Sequence, residues 1–214
     1  MLNEETQFYL ENLCSEKPEW MKQLEEIAEL QNIPIMERVA IDFLVKQIDI
    51  HRPNRILEIG TAIGYSALRM AEANPEAEIM TIENDEKRYK EALENIKKLG
   101  KSEQIDVIYG DALEVLQTLT EEKKLFDLIF IDAAKGKYKN FFHSAHQLLK
   151  NGGLLVTDNV LFRGYVANPG RTPKRYRNMV KKLIEYNDFL HSHPDYITSI
   201  LPIGDGVMFS YKRG

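Results

Sequence analysis

The chain has 214 residues, 43% of them hydrophobic and 29% charged, and a formal net charge of −5. That length fills one α/β domain and is short for two. A lone cysteine, Cys14, excludes an internal disulfide and a cysteine-built zinc cluster, and no apolar run reaches membrane-spanning length. The opening Met1-Leu2-Asn3-Glu4-Glu5 lacks a basic-then-apolar leader pattern. The expectation is a soluble cytoplasmic protein with no membrane partner. The charge is uneven: residues 1–31 carry eight acids against two bases, and residues 163–188 carry seven bases against two acids. A basic segment on an acidic chain points to a local anionic partner, although a solvated helix face is the simpler account of a charge cluster alone.

In chain order, residues 1–31 read as helical with a break near Pro18, the stripe of Leu24, Ile27, Ala28 and Leu30 backed by acids. After a turn at Ile33-Pro34 a second helix runs from Met36 to Ile48. No Gly- or Ser-rich linker follows, so residues 1–50 are expected to cap a core of 51–214 within a single domain. From Arg55 strands and helices alternate, which predicts a parallel sheet with crossovers. Strands are expected at 56–59, 78–82, 105–109, 126–131 and 154–157. The intervening helices are expected from Tyr65 or Ser66 to near Asn74, at 86–99 with a stop at Gly100, at 113–119 and at 138–149. A loop with Pro169, Gly170 and Pro173 precedes a helix from Lys174 to about Leu190. Residues 196–203 and 207–212 flank Gly204-Asp205-Gly206 and read as an antiparallel hairpin at the sheet edge. The fold class is α/β: seven strands, mostly parallel, with helices on both faces and a helical N-terminal cap.

Polar residues stand just past the C-terminal ends of the first five strands, the edge at which open α/β sheets bind ligands. The first strand leads into Glu58-x-Gly60-x-x-x-Gly64. Two glycines between a strand and a helix let the backbone come close to a ligand at the helix N-terminus. The spacing differs from the Gly-x-Gly-x-x-Gly dinucleotide pattern. Glu83 ends the second strand, where such sheets place an acid on ribose hydroxyls. Asp111-Ala112 follow the third, and Asp111 reads equally as the N-cap of the next helix. Asp132 and Lys135 follow the fourth strand, and Asp158-Asn159 the fifth. Two carboxylates and an amide oxygen at neighbouring strand ends form a hard donor set, suited to Mg²⁺, Mn²⁺ or Ca²⁺; loop caps are the equal alternative. The five histidines lack zincin spacing and read as structural, and Phe141-Phe142 reads as core. Tyr138 lines a substrate mouth or packs its helix.

These residues carry a resemblance. Glu58-x-Gly60-x-x-x-Gly64 resembles motif I of the class I S-adenosylmethionine-dependent methyltransferases, in which the glycines pass close to the methionine part of the cofactor and the acid lies beneath it. Taken with Ile131-Asp-Ala-Ala-Lys135 and Thr157-Asp-Asn-Val160, the chain is similar to the cation-dependent O-methyltransferases of the catechol and caffeoyl-coenzyme A type, from about Ile33 to the C-terminus. The resemblance implies a Rossmann-like fold, S-adenosyl-L-methionine as cofactor, and Mg²⁺ or another hard divalent cation held by Asp132, Asp158 and Asn159. It implies that Met36, Glu58, Gly60, Gly64, Tyr65, Ser66, Glu83, Asp111, Ala112 and Asp132 surround the cofactor. Lys135 becomes the catalytic base, working beside Asp132; a solvated lysine or a phosphate contact is the other reading of it. A homodimer is implied on the same ground.

The acceptor is a separate question. Ile35-Met-Glu37, Asp132-Ala-Ala-Lys-Gly136, Asn140-Phe-Phe-His143, Asp158-Asn-Val-Leu-Phe162 and Gly204-Asp-Gly206 are most similar to the bacterial tRNA 5-hydroxyuridine methyltransferases. These convert wobble 5-hydroxyuridine to 5-methoxyuridine. On that resemblance the partner is a tRNA anticodon loop, whose base offers a 5-hydroxyl and a 4-carbonyl as neighbouring oxygens. Arg163, Arg171, Lys174, Arg175, Arg177 and Lys181 would then meet its phosphates. The alternatives are an O-methyltransferase for small catechols or caffeoyl thioesters, and a non-catalytic S-adenosylmethionine-binding RNA module.

Overall fold

The structure is a computed structural model that describes residues 3–214. Met1 and Leu2, which the N-terminal helix is expected to include, lie outside the described residues. Three helices come first: α1 (Glu4–Leu13), α2 (Glu19–Leu30) and α3 (Arg38–His51). The break between α1 and α2 is at Pro18, which caps α2 in extended backbone. Strands and helices then alternate as β1 (Arg55–Ile59), α4 (Tyr65–Ala73), β2 (Glu78–Glu83), α5 (Glu86–Lys98), β3 (Ile105–Tyr109), α6 (Ala112–Glu121), β4 (Phe126–Ile131), α7 (Tyr138–Ala145) and β5 (Leu149–Thr157). The chain closes with α8 (Arg177–His191), β6 (Tyr196–Leu201) and β7 (Val207–Lys212). Among the described residues no helix is long and apolar enough to cross a membrane.

The seven strands form one sheet in the order β3-β2-β1-β4-β5-β7-β6. Pairing is parallel from β3 to β5, and β7 then pairs antiparallel with both β5 and β6. The expected hairpin is present at the sheet edge, with β6 outermost and β7 between β5 and β6. Period-two alternation sends each strand's side chains to two separate cores. Ile56, Leu128, Phe130, Leu154 and Val156 face α2, α3, α4 and α5. Leu57, Ile59, Ile129, Ile131 and Leu155 face α6, α7 and α8. Each fully buried side chain of this size contributes roughly 1.5–3 kcal/mol. The N-terminal cap shares the first core through Met21, Leu24 and Ala28.

Several boundaries differ from the sequence expectation. The helix expected from Met36 begins at Arg38: its N-cap Glu37 has extended backbone, and Met36 before it is buried in the core. The helix expected to reach Leu149 ends at Ala145, and β5 begins at Leu149 rather than at Leu154. Lys212 of β7 ties down this boundary: its ammonium donates to the carbonyls of His146, the C-cap of α7, and Leu149, the first residue of β5, at 2.8 and 2.7 Å. The helix expected from Lys174 opens with a 3₁₀ turn at Lys174–Tyr176 and becomes α-helical at Arg177.

Gly60 sits where β1 and β4 diverge. Its φ is +107°, and a Cβ on it would stand 2.0 Å from the carbonyl oxygen of Asp132. Gly100, past the end of α5, also has positive φ at +66° but meets nothing within 4 Å. Gly60→Ala is therefore expected to destabilise the protein by about 3 kcal/mol or more, from backbone strain and a backbone clash together. Gly100→Ala is expected to lose only about 1 kcal/mol, the left-handed penalty alone. Denaturant unfolding of the two variants checks the difference; equal losses would refute the close approach.

Candidate active site

The glycine turn is built from backbone hydrogen bonds to the neighbouring strand. Gly60 and Thr61 N–H donate to the Ile82 carbonyl at 3.0 and 3.3 Å, and Gly64 N–H returns to the Thr61 carbonyl at 2.8 Å. Gly64, at φ +84°, is the N-cap of α4. Below the turn, alternation along β1 turns Glu58 into the α4 face, where it is wholly buried. It accepts hydrogen bonds from the Ser66 hydroxyl and, at 2.5 Å, from the Thr81 hydroxyl. Burial pushes the Glu58 carboxyl up to about 7, against the opposing pull of those two hydroxyls.

Above the turn lies a cavity of about 300 Å³ at the C-terminal edge of β1, β2, β3 and β4. This is the point where the strand order reverses, the usual ligand crevice of such sheets. Its walls carry Met36, Gly60, Tyr65, Ser66, Glu83, Asp111, Ala112, Asp132 and Lys135 of the sequence-predicted set. Glu58 and Gly64 are not on those walls; one underlies the turn and the other caps α4. The Glu83 carboxylate is fixed by three backbone donors, Ala62 N–H at 2.8 Å and Asn84 and Asp85 N–H at 2.9 Å. Ala62 reaches it from a left-handed conformation, φ +47°. Asp111 caps α6 through Leu113 N–H at 2.8 Å and also stands on the cavity wall.

Some wall residues had no strong sequence signal. Lys137 stands on the wall with its ammonium 3.6 Å from Asp111, an ion pair between the turns after β4 and β3. Arg88 faces the cavity from α5, and Phe141 from α7. Phe141 is nearly buried at the same time, so the core reading holds and the cavity contact is additional. The spacing Lys135-x-Lys137 was the only available hint to Lys137. Tyr65 is buried; its hydroxyl donates to Glu25 of α2 at 2.8 Å, tying the cavity wall to the N-terminal cap.

The fourth and fifth strand ends are side by side, since Ile131 pairs with Thr157. Asp132 N–H donates to the Ile59 carbonyl and Asp158 N–H to the Ile131 carbonyl, each at 3.0 Å. Asp158 is buried and Asp132 lies on the cavity wall; Asp158 and Asn159 are not on that wall. Burial raises the Asp132 carboxyl above the usual carboxylate range, and Lys135 pulls it back. Asp158 is raised well above that range by burial and by Asp132, with the Asn159 N–H and Lys135 opposing. Among the described residues no group of three or more His, Cys, Asp and Glu is placed to hold a metal. The set here has two carboxylates with an amide. Two neighbouring acids forced toward neutrality, with one lysine in attendance, are a donor set that a hard divalent cation fits.

The basic segment lies on the surface. Arg163, Arg171, Lys174, Arg175 and Arg177 are exposed and form no ion pair among the described residues. Lys181 is exposed and stands 3.9 Å from Glu185. Lys182 of α8 passes 3.8 Å from where a Cβ on Gly136 would stand, so this helix borders the Lys135–Lys137 turn. Three of the five histidines, His143, His146 and His193, pack around the Phe142 ring.

The Glu58 environment sets a pH dependence in the cofactor-free protein. Its folded pKa of about 7 lies above the ordinary 4.5, so between those values the native state holds a proton that the unfolded state has lost. Stability then falls as pH rises through that window and levels off above it, a change of about 3 kcal/mol in total. Glu58→Gln is expected to remove this contribution. Unfolding free energies at pH 5, 6, 7 and 8 test it, and identical slopes in the two proteins would contradict the assignment.

Comparison with known proteins agrees with this geometry. The O-methyltransferase family profile matches residues 11–213. Caffeoyl-CoA O-methyltransferase from Petroselinum crispum is 35% identical over 213 residues, covering 94% of this chain and 87% of its own. A Staphylococcus aureus chain provisionally named a caffeoyl-CoA O-methyltransferase superposes with a TM-score of 0.91 at 37% identity, covering 98% of this chain and 100% of its own. A Podospora anserina methyltransferase solved with S-adenosylhomocysteine superposes with a TM-score of 0.88 at 28% identity, covering 100% and 98%. A Rossmann-like sheet with an inserted antiparallel strand, a glycine turn beside Glu83 and a full-length family match thus lead to one conclusion: the chain belongs to the S-adenosylmethionine-dependent O-methyltransferases, of the caffeoyl-CoA O-methyltransferase type.

Proposed function

We propose that this protein methylates one of two neighbouring oxygens on a planar ring, with a small catechol or a caffeoyl thioester as acceptor. The observation that carries the reading is the junction at Asp132, which lies on the cofactor cavity wall and beside Asp158-Asn159 at the next strand end. The names of the curated relatives favour the caffeoyl thioester class. S-adenosylmethionine supplies an electrophilic methyl group on a sulfonium. Asp132, Asp158 and Asn159 would hold a divalent cation, Mg²⁺ by preference, which would supply Lewis-acid polarisation of the acceptor oxygens. Glu83, already clamped by three N–H groups, retains lone pairs for the ribose hydroxyls. Asp111 and Lys137 bound the adenine end. Lys135 takes the proton of the acceptor hydroxyl; the freed oxygen forms the new C–O bond as the C–S bond breaks, leaving S-adenosylhomocysteine. Alignment of the two reactants provides much of the acceleration.

A second reading has its own support. The five exposed cations without ion pairs suit a polyanionic carrier, and tRNA bearing wobble 5-hydroxyuridine presents the same neighbouring-oxygen chelate. A coenzyme A thioester is also anionic, so the basic segment serves either carrier, and a bare catechol needs neither. Charge reversal at Arg175 and Arg177 is expected to lower kcat/KM about tenfold or more on the anionic acceptor while sparing a small catechol. Parallel assays on caffeoyl-CoA, a small catechol and 5-hydroxyuridine-containing tRNA decide the carrier; equal loss on all three would remove the patch from acceptor binding.

The chemistry has a separate test. Asp132→Ala is expected to reduce methyl transfer at least about 10³-fold, with S-adenosylmethionine affinity largely kept, and excess chelator is expected to do the same to the native protein. Full turnover under either condition would end the cation-assisted reading. Cofactor binding without any turnover would favour a non-catalytic module.

A further inference from the structure

The loop after β5 has an unfavourable backbone. Asn159, Phe162 and Arg163 have φ of +58°, +36° and +54°, three non-glycine residues in the left-handed region within five positions. Such backbone persists where the surroundings over-determine it. The Gly204-Asp205-Gly206 turn grips one side. The Gly206 carbonyl accepts Val160 N–H at 2.9 Å, the Asp205 carbonyl accepts Leu161 and Phe162 N–H at 2.9 and 3.1 Å, and the Asp205 carboxylate accepts Arg163 N–H at 2.9 Å.

Two buried side chains act on the carbonyls either side of Asn159. The Tyr138 hydroxyl donates to the Asp158 carbonyl at 3.0 Å, and Asn187 Nδ2 donates to the Val160 carbonyl at 2.9 Å. Asn187 is only 6% exposed in α8, and its Oδ1 has no hydrogen-bond partner among the described residues. An unpaired buried acceptor costs stability, and an apolar side chain there would avoid that cost. What the carboxamide alone provides is the donor to Val160.

We propose that Asn187 is a positioning residue for the candidate cation site: with Tyr138, it holds the peptide units around Asn159 so that Asp158 and Asn159 are presented together beside Asp132. This rests on the cation reading above, but the holding of the loop is separable from it. The test uses the full chain carrying Asn187→Leu, which keeps bulk and removes the donor, and Tyr138→Phe, which keeps the ring and removes the hydroxyl. Hydrogen–deuterium exchange of the 158–163 segment is followed in metal-free protein, and Mn²⁺ affinity is measured by electron paramagnetic resonance. S-adenosylmethionine affinity serves as the control. Asn187→Leu is expected to speed exchange in that segment and to weaken Mn²⁺ binding about 10- to 100-fold, with cofactor affinity unchanged. Unaltered exchange in both variants overturns the proposal whatever the metal result. Faster exchange with unaltered Mn²⁺ affinity also overturns it, since the loop would then be held for another reason. If the native protein binds no Mn²⁺, the cation reading falls, and faster exchange in the variants would leave only the holding of the loop. Should Asn187→Leu not fold, Tyr138→Phe gives the same measurements from the other carbonyl.

Discussion

The structure depends on one close approach. β1 and β4 run parallel and paired as far as Ile59 and Ile131, and the Asp132 N–H still donates to the Ile59 carbonyl. Beyond that point the chains separate, β1 toward α4 on one face and β4 toward α7 on the other. Gly60 lets them part without a gap, since any side chain there would overlap the Asp132 carbonyl. The glycine turn and Asp132 on the cavity wall thus share one strand-pair end. Reacting groups bound to either side are held at short range by backbone, which is the stiffest part of the molecule.

Five acids stand at or beneath this sheet edge, and their surroundings give each a different character. Glu58 is sealed below the turn with two hydroxyl donors. Glu83 is held by three backbone N–H groups, and Asp111 by one. Among the described residues the Asp158 carboxylate accepts one hydrogen bond, from the N–H of Asn159, and the Asp132 carboxylate accepts none. Lys135 is the cation that partly offsets them.

Much of this was legible in the chain. Alternating apolar runs of strand and helix length placed all seven strands, because a parallel sheet covered on both faces needs continuous apolar segments with polar ends. Of those polar ends, Glu83, Asp111 and Asp132 line the cavity, and Asp158 lies beside Asp132 at the next strand end. Local periodicity failed where a distant residue decided a boundary. Lys212 of β7 holds the C-cap carbonyl of α7, and Met36 lies before its helix, buried in the core. Lys137, Arg88 and Phe141 carried too little pattern to be assigned to the cavity, because a helix face aims side chains by packing rather than by motif.

By itself the sequence determined the fold class, the cofactor-turn motif and the identities of the donors at the strand ends, since these depend on side-chain period and on residues adjacent in the chain. Only the tertiary structure decided which of them meet. It buried Glu58 away from the cavity wall, paired Lys137 with Asp111, and put Asn187 and Tyr138 beneath the Asp158–Val160 turn. The Tyr138 and Asn187 contacts join residues 20 and 27 positions apart through the packing of α7 and α8 on the sheet. The register that allows them is a property of the whole core, and no local pattern encodes it.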